Sequence, residues 1–186
     1  MQKKMFLSLC LVAVALFTLG AENSCRAPMD ATGDYSGTWN IEVKEGEGEE
    51  VTTRMVECDS LRMTLEQDVN LDFPENLKVT GTVFIDDYSC LTEAGWPDKI
   101  SLPEPGEIKV TGTMGTSDNR IILGTGGVGT GAGIIFGLDG YGEGAEPDGD
   151  EIPEMISYSG KWGLAVSVVF LGTIGGGGTF EVTRDE

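Results

Sequence analysis

Residues 158–170 read Tyr158-Ser-Gly-Lys-Trp-Gly-Leu-Ala-Val-Ser-Val-Val-Phe170. Tyr158, Gly160, Trp162, Leu164, Val166, Val168 and Phe170 occupy alternate positions, and a pleated strand puts alternate positions on one face. A helix would scatter the same residues around its circumference, so the stretch predicts a long strand with one buried and one wet side. Similar runs recur along the chain. Gly37, Trp39, Ile41 and Val43 alternate with Ser36, Thr38, Asn40 and Glu42. Leu77, Val79, Gly81, Val83 and Ile85 repeat the pattern, as do Ile108, Val110, Gly112 and Met114, and the series ends with Phe180, Val182 and Arg184. From Tyr35 onward no dozen residues carry apolar positions at helical spacing.

The strands also share a detail. Tyr35–Trp39 reads YSGTW and Tyr158–Trp162 reads YSGKW, while VTGT stands at Val79–Thr82 and again at Val110–Thr113. These echoes have no common period, which excludes a solenoid. Each places a Gly on the inner phase, where the absent side chain lets a strand bend sharply and a large neighbour fit. An all-β fold follows: a small antiparallel up-and-down β-barrel of about 8–10 strands, with a β-sandwich whose glycines mark bulges as the alternative. Turns are expected at Gly46–Glu50, Asp59–Ser60, Asp86–Ser89 and Ser117–Asn119, and a long loop near Pro97, Pro103 and Pro105.

Ahead of the strands, Lys3 and Lys4 precede an apolar run from Met5 to Leu19, and the first acidic residue is Glu22. The run is shorter than the roughly 20 residues of a spanning helix, and Gly20 and Ala21 offer a cleavage point. Residues 1–21 therefore read as a signal peptide rather than an uncut anchor, 22–33 as a disordered stub, and 34–186 as one domain. An exported protein of the periplasm, cell envelope or extracellular space is expected. Cys10 leaves with the signal. Of Cys25, Cys58 and Cys90, the last two lie within the strand region and are the expected disulfide, whose loop would contribute about 3–4 kcal/mol. A lipid anchor at Cys25 is disfavoured, because Glu22, Asn23 and Ser24 stand where small and apolar residues would be needed.

Charge removes several functions. The 186 residues hold 12 Lys and Arg against 31 Asp and Glu, a net charge of -19, and no His. Such a chain repels polyanions, so nucleic-acid binding is not expected. Catalysis or metal ligation through His is excluded by composition. Seryl chemistry lacks a His or a placed Lys, and the carboxylate clusters lie in turns or on wet strand faces, so no enzyme activity is expected. The outward phase of Thr38, Asn40, Glu42, Thr80, Thr82 and Asp86 is polar where a lipid-facing wall would be apolar, and no membrane span is expected.

Two stretches resemble ligand motifs without their context. Gly124, Gly126 and Gly129 fit G-x-G-x-x-G, but a strand-like Ile134–Phe136 follows where the dinucleotide turn needs a helix. No cofactor is expected from it. The segment 139–154 reads as an acidic, Gly-rich loop with seven carboxylates and no Lys or Arg. Asp148 and Asp150 have calcium-loop spacing, yet the required glycine at position six is missing and no helices flank them. A solvated loop and no metal site are expected.

Residues 34–39, Asp-Tyr-Ser-Gly-Thr-Trp, resemble the G-x-W signature on the first strand of the calycins, the superfamily of lipocalins and fatty-acid-binding proteins. The resemblance implies a barrel closed at one end by Gly37 and Trp39, with Arg184 of the last strand packed across the Trp39 ring. It departs from the named branches in lacking both their helix after the last strand and the lid helices after the first. It implies a binding module that holds an apolar or amphipathic small molecule inside the barrel, lined by Trp39, Val83, Met114, Trp162 and Phe180. The other expectation is a cell-envelope structural or interaction protein with a packed barrel and acidic binding loops. Interior volume separates the two.

Overall fold

The computed structural model describes residues 27–45, 51–71, 73–86, 89–95, 106–125, 133–146, 151–168 and 172–186. Eight strands follow one another: β1 (Gly33–Glu45), β2 (Thr52–Gln67), β3 (Lys78–Ile85), β4 (Gly106–Met114), β5 (Arg120–Gly124), β6 (Gly133–Gly144), β7 (Met155–Val168) and β8 (Gly172–Arg184). Each pairs antiparallel with its neighbours in chain order, and β8 pairs with β1 to close the barrel. Closure leaves no sheet edge and excludes the sandwich. A short helix, α1 (Ser89–Glu93), interrupts the long β3–β4 connection, and a 3-10 turn at Glu75–Leu77 precedes β3. No helix among the described residues is long and apolar enough to cross a membrane.

The alternating residues of the sequence form the core. Trp39, Ile41, Val83, Val110, Met114, Phe136, Trp162 and Phe180 are all buried, while their chain neighbours on the other phase mostly face outward. The glycines on that inner phase are there because neighbouring strands come too close for a side chain. A Cβ on Gly112 would overlap the carbonyl oxygen of Ile122 across the ladder, and one on Gly178 would overlap that of Asn40. Gly37, Gly81 and Gly160 meet neighbouring backbone in the same way. Such contacts let eight strands coil into a narrow barrel.

Asp59–Ser60 does not turn the chain. It lies inside β2, where the register passes from Gly37↔Leu61 to Trp39↔Cys58, so β2 carries one extra residue. This bulge shifts the buried phase from Val56 and Cys58 to Leu61, Met63 and Leu65. The polar pair that signals a turn also suits a bulge, because both need a break in the alternation. Beyond it, Cys58 bonds to Cys90 of α1 with an S–S distance of 2.10 Å, and the adjacent Leu91 is buried in the core.

The opposite end of the barrel corrects the expected stub. Residues 1–26, Cys25 among them, lie outside the described residues, but from Ala27 the chain is packed. Ala27, Met29 and Ala31 are buried, and Asp30 bridges to Glu154. The Ala31 N–H donates to Gln67 Oε1 at 2.9 Å and the Met155 N–H to the Asp30 carbonyl at 2.8 Å. Ala27, Met29 and Ala31 are themselves an alternation, too short to stand out in a polar setting. The acidic loop is shorter than 139–154, since β6 continues to Gly144 and β7 starts at Met155. Its Asp148 and Asp150 lie outside the described residues, as do Gly126 and Gly129.

Candidate binding surface

The five residues expected to line a ligand chamber all point inward, and they pack on one another and on further aromatic rings. Trp39 meets Trp162 edge-on at 4.7 Å between centroids, and Phe136 stacks on Trp162 at 6.5 Å. Tyr158 meets Phe180 edge-on at 4.7 Å. Val83 and Met114 are 0 % and 2 % exposed. The polar edges of the rings are also occupied: the Trp162 Nε1–H donates to the Asn40 carbonyl at 2.7 Å, and the Tyr158 hydroxyl to the Ile121 carbonyl at 3.0 Å. Rings packed on one another, with the Trp162 and Tyr158 polar edges hydrogen-bonded, form the buried centre of the barrel.

Arg184 does not cross the Trp39 ring. Trp39 stands opposite Phe180, and Arg184 stands opposite Tyr35. Four residues of register separate them, roughly 13 Å along a strand. Arg184 instead closes the end where the N-terminal segment packs. Its Nη1 lies 3.4 Å from the Met155 carbonyl and 3.6 Å from a Glu154 carboxylate oxygen. Tyr35 beside it donates to the Ala31 carbonyl at 3.0 Å, and burial pushes its hydroxyl up to about 12, against the pull of Arg184. Burial likewise raises Tyr158. Among the described residues, the guanidinium that lies over a ring, 5.6 Å from its centroid, is that of Arg62 over Phe84.

The outer wall of β5–β8 differs from the rest of the surface. Its registers align Gly124 with Gly137, Gly137 with Gly163, and Gly163 with Gly177. This is a row of four positions without side chains across four adjacent strands, about 15 Å long at the usual strand spacing. One bank of the row is apolar, with Ile135 opposite Ala165. The other carries Ile122, Asp139, Lys161 and Thr179 in register. Over the middle of this row lies a groove of about 580 Å³, lined by Gly137, Gly163, Gly175 and Gly176 and mainly by apolar surface. Ile122 and Ile135 stay 46 % and 60 % exposed there, unusual values for Ile on a sheet.

Charges on and beside this wall include a tight ion pair and two lysines, Lys161 on β7 and Lys44 on the adjoining β1. Arg120 grips Asp139 with two hydrogen bonds, of 2.8 and 2.7 Å, which hold the carboxyl below its ordinary range. Lys44 and Lys161, by contrast, form no salt bridge with any described residue. Both line a cleft of about 500 Å³ that continues the groove past Trp162 and Gly175 and also includes Glu42. Sequence reading missed this surface, because neither the alignment of glycines from four strands nor the company of two lysines is local. The concentration of 18 of the 28 glycines between Gly124 and Gly178 was its one visible trace. In comparisons with protein-family models, curated proteins and solved structures, nothing matches this chain.

Proposed function

We propose that the protein is an exported, non-enzymatic binding scaffold, calycin-like in architecture, that works through its outer wall rather than through a ligand chamber. The observation that carries this is the interlocked set of Trp39, Phe136, Tyr158, Trp162 and Phe180, which occupies the space a chamber would need. Of the two binding expectations, interior packing favours the interaction protein. Calycin kinship rests on the closed meander and on Gly37 and Trp39 on its first strand, without the arginine–tryptophan contact of that family. Export agrees with the disulfide, which persists in oxidising compartments.

A methyl-resolved NMR titration with an apolar dye, anilinonaphthalene sulfonate, tests the reading. Shifts are expected at the outward methyls of Ile122 and Ile135. Shifts concentrated at Val83 and Met114 would place the ligand inside and overturn it. N-terminal sequencing of the protein from its native compartment tests export, and retention of Met1 would count against it.

A further inference from the structure

Resting on that outer-wall reading, we infer that the groove across β5–β8 is a docking site for an anionic amphiphile, a slender alkyl chain ending in a carboxylate.

Shape, polarity and charge point to the same occupant. The groove is open and apolar, and its volume lies within the range of about 300–1,000 Å³ typical of small-molecule sites. Its banks are the exposed Ile135 and Ala165 on one side and the polar row with Lys161 on the other. An alkyl chain could lie along the bare backbone between them. Three of the four glycines of the row are not required by the fold, whereas a Cβ on Gly177 would lie 2.5 Å from the Trp162 carbonyl oxygen. A Cβ on Gly124 or Gly137 would find its nearest neighbour at 3.5 Å, and one on Gly163 at 4.0 Å, which are ordinary contacts. A side chain there would fill the groove without disturbing the ladder.

Charge selects the head group. In a chain of net charge -19, Lys44 and Lys161 stand without a salt bridge to any described residue, and both line the cleft at the end of the groove. Glu42 shares that cleft, and Asp139 lines the groove as the cross-strand partner of Lys161, but Arg120 holds Asp139 with two hydrogen bonds, which leaves two lysines against Glu42 at the cleft. The distant acidic surface opposes it weakly, since screening at physiological salt acts within about 8 Å, whereas a lysine contact is made at hydrogen-bond range. The same net charge makes two copies of the chain repel, which argues against a second copy as the occupant.

The test is titration calorimetry of the full exported chain with sodium dodecanoate below its micellar concentration, together with the methyl spectrum. Expected are saturable one-to-one binding, shifts at Ile122 and Ile135, and at least tenfold weaker binding of dodecyltrimethylammonium. Lys161→Glu and Gly163→Val should each weaken dodecanoate at least tenfold, and Ile135→Ser, on an exposed side chain, provides a second block should Gly163→Val fold poorly. Absence of saturable binding, equal binding of the cationic amphiphile, or unaltered affinity in Lys161→Glu and Ile135→Ser would overturn the inference and leave the outer-wall reading standing. Binding confined to phosphatidylglycerol vesicles would do the same, by identifying a membrane surface as the target. Dodecanoate shifting Val83 and Met114 would overturn both.

Discussion

Two sets of glycines sit in this barrel, and they do opposite things. Gly37, Gly81, Gly112, Gly160 and Gly178 face inward or lie against a neighbouring strand so closely that no side chain could be placed there. Gly124, Gly137 and Gly163 face outward with room for a methyl group. The first set is a requirement of curvature. The second costs stability, since Gly in a strand gives up about 0.5–1 kcal/mol relative to Ala, and nothing in the fold requires it. A position that is bare without steric need is where something outside the fold is expected to approach.

The largest test of this contrast is on the inner set. Gly112→Ala with Gly178→Ala would drive two methyl groups into carbonyl oxygens on different strand pairs. At about 3 kcal/mol each the pair should lose about 6 kcal/mol, enough to unfold a domain of ordinary stability, as read by urea denaturation. A loss under about 1 kcal/mol would erase the distinction between the two sets.

Alkaline titration examines the packed interior more gently. Burial raises the Tyr35 hydroxyl from 10.0 to about 12, so its neutral form is favoured in the folded state. The sign follows from the raised value: the contribution is complete below pH 10 and is lost as the pH climbs through 12. Denaturation midpoints should therefore hold to about pH 10 and then fall, with Tyr35 accounting for on the order of 2 kcal/mol near pH 12. Tyr35→Phe should lessen that fall, with buried Tyr158 sustaining the rest. A profile that begins to drop near neutral pH would point to other groups.

The smallest effect has the most telling sign. Gly163→Ala should stabilise the protein, by about 0.5–1 kcal/mol, because it gains strand propensity without a clash. Thermal unfolding measures it. A destabilised Gly163→Ala would show that the outer row is structural after all, and would remove the argument that it was left bare for a partner.

Legibility followed the range of the interaction. The inward orientation of Trp39, Val83, Met114, Trp162 and Phe180 could be read directly, because alternation is a property of one strand. The Cys58–Cys90 pair was legible because both residues lie within the strand region, whereas Cys25 precedes it. Asp59–Ser60 was read as a turn and is a bulge, since a short polar pair breaks alternation in either case. Arg184 was placed on Trp39 from the family resemblance, whereas the ladder sets it opposite Tyr35. Four residues of register separate those outcomes, and no local pattern encodes register.

By itself the amino-acid sequence determined which side of each strand is buried, that the sheet must curve strongly, and that the chain is acidic. Hydrophobic alternation, inner glycines and charge act within a few residues of themselves, so they are visible one segment at a time. The filling of the interior by rings from β1, β6, β7 and β8, the seating of Met29 and Ala31 in the barrel end, and the bare row from Gly124 to Gly177 were decided by the tertiary structure alone. Each depends on how far one strand slides against the next, and that offset is set jointly by every hairpin and bulge around a closed ring.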